Sequence, residues 1–185
     1  MKSVLISIQP YWVFLIIAKT MGWNIPQEKE IEVRKSYPKA ENWNKVAKIY
    51  CSKDKRSFSK IPEEYQPLME QLLGKVIGEF VCDCYDAYWF TEADTDIEQY
   101  EDVQLSCVPV KELLDYANSQ ELYFWNISDL KIYDVPKALS DFRKPCINDL
   151  YCESCGMHSE RTGYCGNAAL RLTRPPQSWC YVEEV

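Results

Sequence analysis

The sequence predicts a mixed α+β fold: a small β-barrel with short helices at its rim and a cysteine-rich C-terminal extension. Many short segments alternate apolar and polar residues, as strands do, and three or four short segments between them have helical spacing. Short strands interspersed with short helices favour a small mixed barrel over a helical bundle. Five of the nine cysteines lie in the last forty residues, which sets the C-terminal part apart.

Size and composition limit the class of protein. With 185 residues, 46% of them hydrophobic and 14% aromatic, the chain is long enough to bury a core. We assign residues 1–142 to the barrel domain and 143–185 to the cysteine-rich extension, which is expected to pack on the barrel and to end in a strand. The formal net charge of −7 argues against a protein that coats nucleic acid through a broad basic surface.

The first part of the chain predicts a strand, a buried helix and two more strands. Ser3–Ile8 alternates like a strand that is buried on one face, and Pro10 is suited to begin the helix Tyr11–Ala18. This apolar run is far shorter than the roughly 18–20 residues that cross a membrane. We therefore expect a cytoplasmic protein with no membrane partner. Lys29–Lys35 and Val46–Cys51 are the next predicted strands.

The second part predicts short helices and further strands. Pro67 divides the helical region between Ser57 and Leu73 into two pieces. Lys75–Tyr85 is predicted as one long strand, in which Gly78 indicates a bulge or a close approach of two backbones. An acidic loop, an amphipathic helix, two strands and a closing strand follow at Thr91–Asp102, Val110–Ala117, Leu122–Trp125, Ser128–Tyr133 and Trp179–Val182.

Charge is distributed unevenly along the chain. Between Lys29 and Lys60 there are ten Lys or Arg and four Asp or Glu, whereas residues 76–110 contain nine Asp or Glu and no Lys or Arg. A basic third beside an acidic middle is compatible with a localised anion-binding face, and the acidic segment is a candidate surface for a protein partner. Solvent-exposed loops, some positively and some negatively charged, would explain the same pattern without any binding role.

Three charged residues near the second predicted strand form the candidate site. Glu32 and Arg34 are two residues apart, so on a strand they point to the same face. Lys29 lies at the entry of the strand, and its long side chain can bend back toward the same face. Arg34 would bind a phosphate or a base edge, and Glu32 would accept a hydrogen bond from an exocyclic amine. An internal salt bridge that fixes the strand is the alternative.

Several segments, taken in their order along the chain, point to a known family. They are Ser7–Trp12, Lys29–Lys35, Gly74–Phe80 and Trp125–Leu130, followed by Tyr133 and Asp134. In this order they resemble the ASCH domain of the PUA-like superfamily. The cysteine-rich tail with Thr173–Tyr181 is similar to a subgroup from phages and Firmicute prophages, which implies a phage or prophage accessory protein.

The resemblance implies a PUA-like barrel whose cleft binds RNA or a modified nucleobase. The motif positions of that cleft fall on Lys29, Glu32 and Arg34, and Glu79 falls on a neighbouring strand. Some ASCH members are amidohydrolases that act on acylated cytidine with a lysine, a threonine and a glutamate. Glu32 occupies the threonine position in this chain, so the nucleophilic hydroxyl is missing.

Catalysis is the first alternative to simple binding, and a protein-interaction module built on the acidic segment is the second. In a hydrolase of a modified nucleoside or RNA, Lys29 would lose its proton, and Glu32 or Glu79 would act as the general base. Substitution of Lys29 by alanine is expected to abolish ligand binding or turnover while changing the melting temperature by only a few degrees.

Tryptophan rings near the cleft are candidates for stacking on a base, which contributes about 1–3 kcal/mol per base. Trp12 and Trp125 are the best placed, because each lies next to a segment that resembles a wall of the cleft. Burial in the core is the alternative for both rings.

The tail cysteines predict a structural zinc site and no organic cofactor. Cys152 and Cys155 have the two-residue spacing that lets two thiolates bind one ion. The expected third and fourth ligands, followed by two alternates, are Cys165, Cys180, Cys146 and His158. Unligated cysteines are an alternative, and a reducing cytoplasm disfavours disulfides. The other cysteines are expected to be small core residues: Cys51, Cys82, Cys84 and Cys107.

Overall fold

The computed structural model describes residues 2–40, 43–91, 94, 96–145, 158–159, 164–165 and 167–184. Within these ranges the chain forms a six-stranded sheet, a three-stranded sheet, a two-stranded hairpin and short helices. The α+β class predicted from the sequence is therefore confirmed. Among the described strands no sheet closes into a barrel, because the six-stranded sheet ends at an edge strand on each side.

The strands and helices have the following bounds. The strands are β1 (Lys2–Ile8), β2 (Ile31–Arg34), β3 (Trp43–Cys51), β4 (Val76–Val81), β5 (Tyr85–Tyr88), β6 (Leu122–Asn126), β7 (Ser128–Lys137), β8 (Phe142–Arg143), β9 (His158–Ser159), β10 (Tyr164–Cys165) and β11 (Trp179–Glu184). The α-helices are α1 (Pro10–Ile17), α2 (Lys55–Phe58), α3 (Gln66–Leu72), α4 (Glu101–Ser106) and α5 (Val110–Ala117). None of the helices within these ranges has the length and apolar character needed to span a bilayer.

The six-stranded sheet contains the first and the last of the described strands, β1 and β11. Its order is β7-β4-β3-β1-β11-β8, and only β1 and β3 are parallel. Pro10 at the first position of α1 turns the chain out of β1, and α1 then packs into the core of this sheet. Five successive side chains of α1, from Val13 to Ile17, are buried. The end of β1 and the start of α1 are thereby fixed beside the candidate site.

The three-stranded sheet carries β2 at one edge and has the order β2-β6-β5. Its strands are antiparallel, with Glu32 paired to Trp125 and Val33 paired to Phe124. Ile31 and Val33 belong to a second core that also contains residues of α4 and α5. Glu32 and Arg34, which alternate with them, therefore point away from that core, as predicted for a strand.

The predicted long strand Lys75–Tyr85 is two strands in different sheets. β4 ends at Val81 in the six-stranded sheet, and β5 begins at Tyr85 in the three-stranded sheet. The amide of Cys82 still donates to the carbonyl of Lys45 in β3 (2.8 Å), so the chain leaves the first ladder after Cys82. The acidic segment is also more ordered than the predicted loop, since a 3₁₀ turn at Ile97–Gln99 leads into α4.

The cysteines predicted for the core divide into two groups. Cys51 and Cys82 are fully buried, and burial raises the pKa of each thiol to about 12. Cys84 is exposed and Cys107 is half-buried, so the prediction of a core position is wrong for Cys84. Cys84 lies in the crossover between the two sheets, where it has no core to pack against.

Gly78 is where the backbones of β4 and β7 approach each other, as the sequence predicted. A Cβ atom at this position would lie 2.3 Å from the carbonyl oxygen of Lys131 and 3.2 Å from Cα of Ile132. The pairing register shifts between Val76 and Gly78, which marks an irregularity in the ladder. A side chain here requires β7 to move away from β4.

We expect Gly78→Ala to lower the free energy of unfolding by about 1–3 kcal/mol, because the added methyl group overlaps backbone that is held in a ladder. Urea denaturation of the variant and the wild type measures the difference. An unchanged unfolding midpoint would contradict the close approach.

Candidate functional site

A cavity of about 210 Å³ lies at the junction of β1, α1, β2 and α5. Its walls come from the end of β1, the first turn of α1, β2, the segment before α5 and one side of α5. The lining residues are Ser7, Gln9, Trp12, Lys29, Glu32, Val33, Arg34, Val108, Glu112, Leu113 and Tyr116. The structure therefore brings Lys29, Glu32, Arg34 and Trp12 together in one place.

Lys29 is the most deeply buried of the three charged residues, with 3% of its surface exposed. Its Nζ donates hydrogen bonds to the carbonyl oxygens of Ile31 (2.6 Å) and Ser106 (2.7 Å) and lies 3.4 Å from Oε2 of Glu32. Burial lowers the pKa of Lys29, and the nearby charge of Glu32 opposes this shift. The protons of the ammonium group are directed at the protein, so Lys29 positions other groups.

Glu32 and Arg34 form a buried ion pair that lines the cavity. Oε1 of Glu32 accepts from Nη2 of Arg34 (2.8 Å), which also donates to the carbonyl of Ser7 (2.7 Å). Glu32 is 5% exposed and Arg34 is 9% exposed. Oε2 of Glu32 and Nε of Arg34 are buried and make no hydrogen bond to any described part of the protein, although Oε2 lies 3.4 Å from Nζ of Lys29. The lining of the cavity therefore contains one acceptor and one donor whose hydrogen bonds are not satisfied.

The buried charges leave the inner wall of the cavity electropositive. Lys29 and Arg34 contribute two positive charges and Glu32 contributes one negative charge, and all three are buried. At the rim, Glu112 lies 3.8 Å from Lys60, so this carboxylate is balanced by a cation outside the cavity. An electron-rich ligand that also carries a hydrogen-bond donor for Glu32 would match this distribution.

α5 provides the outer wall. Leu113 and Ala117 anchor the helix to the second core, while Glu112 and Tyr116, one turn apart, lie on the flank that lines the cavity. Burial raises the pKa of Tyr116, and the charge of Arg34 opposes the shift. Nζ of Lys35 lies 5.2 Å from the centroid of the Tyr116 ring, which places a cation near the rim.

The two candidate tryptophans are in different environments. Trp12 lines the cavity, with the centroid of its ring 5.3 Å from Nζ of Lys29. Trp125 is fully buried in the first core, against the rings of Tyr37, Trp43 and Trp179. Since a ring with no exposed surface cannot stack on a ligand, the structure removes Trp125 from the candidate ligand-binding residues.

Glu79 does not lie in the cavity with Lys29 and Glu32. It is on β4, where its Oε2 accepts from Nζ of Lys48 (2.8 Å) and from the hydroxyl of Tyr133 (2.7 Å). Burial alone would raise the pKa of Glu79, but these hydrogen bonds outweigh it and the pKa is lowered. The predicted catalytic set is therefore not assembled, because Glu79 is committed to a separate ion-pair cluster.

Sequence reasoning missed the residues that α4 and α5 bring to the site. The carbonyl of Ser106 binds Lys29, and Tyr116 forms part of the wall. The pattern of α5 predicted the helix and its apolar side, but nothing in the pattern indicates that this side packs beside β2. The contacts depend on tertiary packing across more than seventy residues of chain.

We expect Lys29→Met to destabilise the protein by about 3–5 kcal/mol, because it leaves a buried carboxylate and two buried carbonyl groups without their cation. This replaces the small effect expected from the sequence alone. Lys19→Met is the control: Lys19 also lies near carboxylates, Glu28 at 3.6 Å and Glu30 at 3.7 Å, but its side chain is 73% exposed. Its removal should cost about 0–1 kcal/mol. Equal losses in urea denaturation would contradict the role given to Lys29.

Comparison with solved structures finds a likeness to crystal structures of an ASCH protein from Zymomonas mobilis. That protein is 15% identical to this chain, with a TM-score of 0.51 over 98% of this chain and 87% of that chain. Two single-residue variants of it give TM-scores of 0.52 and 0.53, also at 15% identity, and this chain covers 88% and 91% of them. No protein-family model and no curated protein matches the chain. The likeness shows the fold alone: the chain has the fold of that ASCH protein, as its sequence resemblance implied.

Proposed function

We propose that this protein binds a nucleobase, either free, in a nucleoside or nucleotide, or in RNA, in the cavity beside β2. The observation that carries the proposal is the convergence of a buried glutamate, a buried arginine and an aromatic ring on one cavity. Glu32, Arg34 and Trp12 supply an acceptor, a donor and a flat apolar surface. A nucleobase has complementary features: edge groups that donate and accept, and two π faces.

The dimensions of the cavity support a single base as the bound group. Its volume of about 210 Å³ is below the range of roughly 300–1,000 Å³ that is usual for drug-sized ligands. One ring system fits this space, and the sugar and phosphate would then remain at the rim. Lys35 and Lys60 lie at that rim, beside Tyr116 and Glu112, where they can approach a phosphate.

The hydrogen-bonding groups favour a base with an exocyclic amine. The carboxylate of Glu32 can only accept while it is ionised, and the guanidinium of Arg34 can only donate. Cytosine and adenine each present an amine donor next to a ring-nitrogen acceptor, which matches this order. Uracil presents a carbonyl where the amine would be, and that carbonyl would lie against the carboxylate.

Titration of the purified protein with nucleosides tests the proposal. We expect cytidine, an acylated cytidine or adenosine to bind more tightly than uridine by isothermal titration calorimetry. Arg34→Lys should weaken binding about 10–100-fold, because lysine lacks the planar fork and a charged hydrogen bond contributes about 1.5–3 kcal/mol. Arg143→Lys is the matched control, since Arg143 is also buried and pairs with Glu183 at 2.8 Å.

Two results would reject the proposal. The first is the absence of binding by every nucleoside, nucleotide and short RNA tested. The second is equal loss of binding in the Arg34→Lys and Arg143→Lys variants, which would trace the effect to the fold. Thermal melts of both variants show whether each is folded at the temperature of the titration.

Hydrolysis of a modified nucleoside or RNA stays a second proposal. The lowered pKa of Lys29 favours it, since a neutral amine is needed for nucleophilic or general-base chemistry. Against it, Nζ is held by two backbone carbonyls, and Glu79 lies in another cluster. Release of free cytidine from an acylated cytidine, abolished by Glu32→Gln, would favour the hydrolase over the binding module.

The acidic segment supports a protein-interaction surface less well. Several of its carboxylates are bound within the chain: Glu79 pairs with Lys48, Asp102 accepts from the hydroxyl of Tyr88 (2.8 Å), and Asp94 accepts from Thr91 (2.7 Å). These three side chains belong to different elements, and contacts within the chain hold each of them. A protein partner at this segment and a phage or prophage origin both stay predictions.

Structural zinc in the tail also stays a proposal. Cys146, Cys152 and Cys155 lie outside the described residues, and among the described ones no group of three potential ligands converges. Cys165 is paired in register with His158 across β9 and β10, whereas Cys180 lies on β11 opposite Leu5.

Metal analysis of the purified protein tests the zinc site. We expect about one equivalent of zinc in the wild type and loss of the metal in Cys152→Ser. Cys180→Ser should keep the metal if His158 is the fourth ligand. Less than a tenth of an equivalent in the wild type would remove the proposal.

A further inference from the structure

Strand β5 forms an open edge of the three-stranded sheet. Among the described residues it pairs only with β6, and β2 lies at the opposite edge. Five successive residues, from Asp83 to Ala87, are exposed. Since neighbouring side chains of a strand point to opposite faces, exposure of every residue in such a run means that neither face is covered there. The edge of β5 is therefore accessible to another molecule.

The other edges of the two larger sheets are protected in ways that β5 is not. All four residues of β2 are buried, and β8 has only two residues. β7 contains Pro136 near its end and the exposed charged residues Asp129, Lys131 and Asp134. Lysine, proline and very short strands are common means by which proteins keep an edge from pairing with another chain. β5 has four residues and contains neither lysine nor proline.

The register of β5 and β6 shows which backbone groups face outward. The amide of Asn126 donates to the carbonyl of Cys84 (3.3 Å), one residue before β5 begins. In an antiparallel pair, hydrogen-bonded residues alternate with residues whose N–H and C=O groups point away from the partner strand. The backbone groups of Tyr85 and Ala87 therefore point to the open edge. A strand laid along this edge would meet two donors and two acceptors there.

Negative charge surrounds the open edge. Asp83 and Asp86 are exposed, and their charges add to burial in raising the pKa of the Cys84 thiol between them. At the other end of β5, burial raises the pKa of Tyr88, and the charges of Asp102 and Asp86 raise it further. Two copies of this edge would place like charges side by side, whereas a cationic strand would be attracted to it.

Two exposed aromatic rings mark the same edge. Trp89 directly follows β5 and is 63% exposed, and Tyr85 is 42% exposed. The ring of Tyr85 packs on that of Tyr37, with 3.9 Å between centroids, which holds it in place. Nζ of Lys45 lies 5.7 Å from the Tyr37 ring and adds one cation beside the start of β5. Exposed rings bind both the cationic groups and the aliphatic stems of lysine and arginine.

We propose that β5 is a docking site for a basic, extended segment of a partner protein, which adds to the open edge as a further strand. Lysine or arginine at alternate positions would lie on the face that carries Asp86, and apolar side chains between them would lie on the face of Tyr85 and Trp89. Backbone hydrogen bonds to Tyr85 and Ala87 would supply affinity, and the alternating side chains selectivity. The inference goes beyond the proposed function, because no residue of β5 lines the cavity beside β2.

Binding of two fluorescein-labelled heptapeptides, measured by anisotropy, tests the proposal. One is Lys-Val-Arg-Val-Lys-Val-Arg, and the other has glutamate in place of each basic residue. We expect the basic peptide to bind about tenfold more tightly or better, and its affinity to fall as the salt concentration rises from about 50 to 500 mM. Equal binding of the two peptides, or binding of neither, overturns the proposal.

Methylation of peptide nitrogens separates strand addition from simple attraction of charge. On an added strand only alternate N–H groups point to β5, and N-methylation removes such a donor without changing the charge of the peptide. One methylated basic peptide carries the methyl groups on its valines, and the other on its lysines and arginines. Only one of the two should lose affinity, by about tenfold or more. Equal affinities would show attraction without strand pairing and would contradict the proposed geometry.

Variants of the protein locate the site. Ala87→Lys places a cation on the open edge and should weaken binding of the basic peptide about tenfold or more. Its control is Val135→Lys on β7, where the side chain is 78% exposed. Trp89→Ala should weaken binding about three- to tenfold, whereas Leu68→Ala on α3, at a residue 37% exposed, should not. Equal losses within either pair would mean that the peptide binds elsewhere.

A second copy of this chain is the alternative occupant of the edge. We expect a monomer by size-exclusion chromatography with light scattering, and a dimer that Ala87→Lys dissociates would overturn the proposal of a basic partner. Nucleoside titrations keep this inference separate from the proposed function, since Ala87→Lys should bind nucleosides like the wild type. Loss of nucleoside binding in this folded variant would contradict the independence of β5 from the cavity.

Discussion

The buried ammonium group of Lys29 is the contact on which the geometry of the cavity depends. Its Nζ joins the strand entry to the last turn of α4 through the carbonyl of Ser106, and its amide donates to the carbonyl of Leu15 in α1 (3.3 Å). The amide of Glu30 donates to the carbonyl of Leu105 (3.0 Å). A buried ammonium must keep its hydrogen bonds, so α1, α4 and β2 can meet in only a narrow range of arrangements.

Stability alone does not require this arrangement of charge. Replacing a buried ion-pair triad by apolar side chains of similar volume is often neutral or stabilising by about 1–4 kcal/mol. The neighbouring faces of β2 and α5 already supply an apolar core, in which Val33 packs with Leu113. Two cations and one carboxylate border the cavity, and one oxygen of the carboxylate and one nitrogen of the guanidinium make no hydrogen bond to a described residue, which supports the proposed role in ligand binding.

The sequence predicted most elements because their local patterns agree with their burial. α5 has the predicted bounds, Pro67 lies in the first turn of the second of two short helices, and Gly78 lies at a close approach of backbones. The break between β4 and β5 was missed, because apolar residues continue through the crossover and the strand pattern cannot show a change of sheet. The local pattern also cannot show whether a tryptophan is buried. Trp12 and Trp125 both lie beside segments that resemble walls of the cleft, and only tertiary packing shows that Trp125 is buried in the core.

The same limit applies to the candidate site, in which the strand residues were predictable and their partners were not. The alternation of β2 places Glu32 and Arg34 on one face, and this follows from sequence spacing alone. The resemblance placed Glu79 near the cleft, but β4 carries it in the six-stranded sheet, where it pairs with Lys48 of β3. Ser106 and Tyr116 come from helices far along the chain, and their roles depend on how two sheets pack.

The net charge of the chain limits how much long-range electrostatic attraction can contribute to the binding of an anionic ligand. A net charge of −7 repels a polyanion at long range, so the protein lacks the electrostatic attraction on which broad phosphate-binding surfaces depend. Short-range contacts must then supply both affinity and selectivity. The buried pair of Glu32 and Arg34 is desolvated during folding, so a ligand of the kind proposed would gain their hydrogen bonds without stripping a full water shell from them.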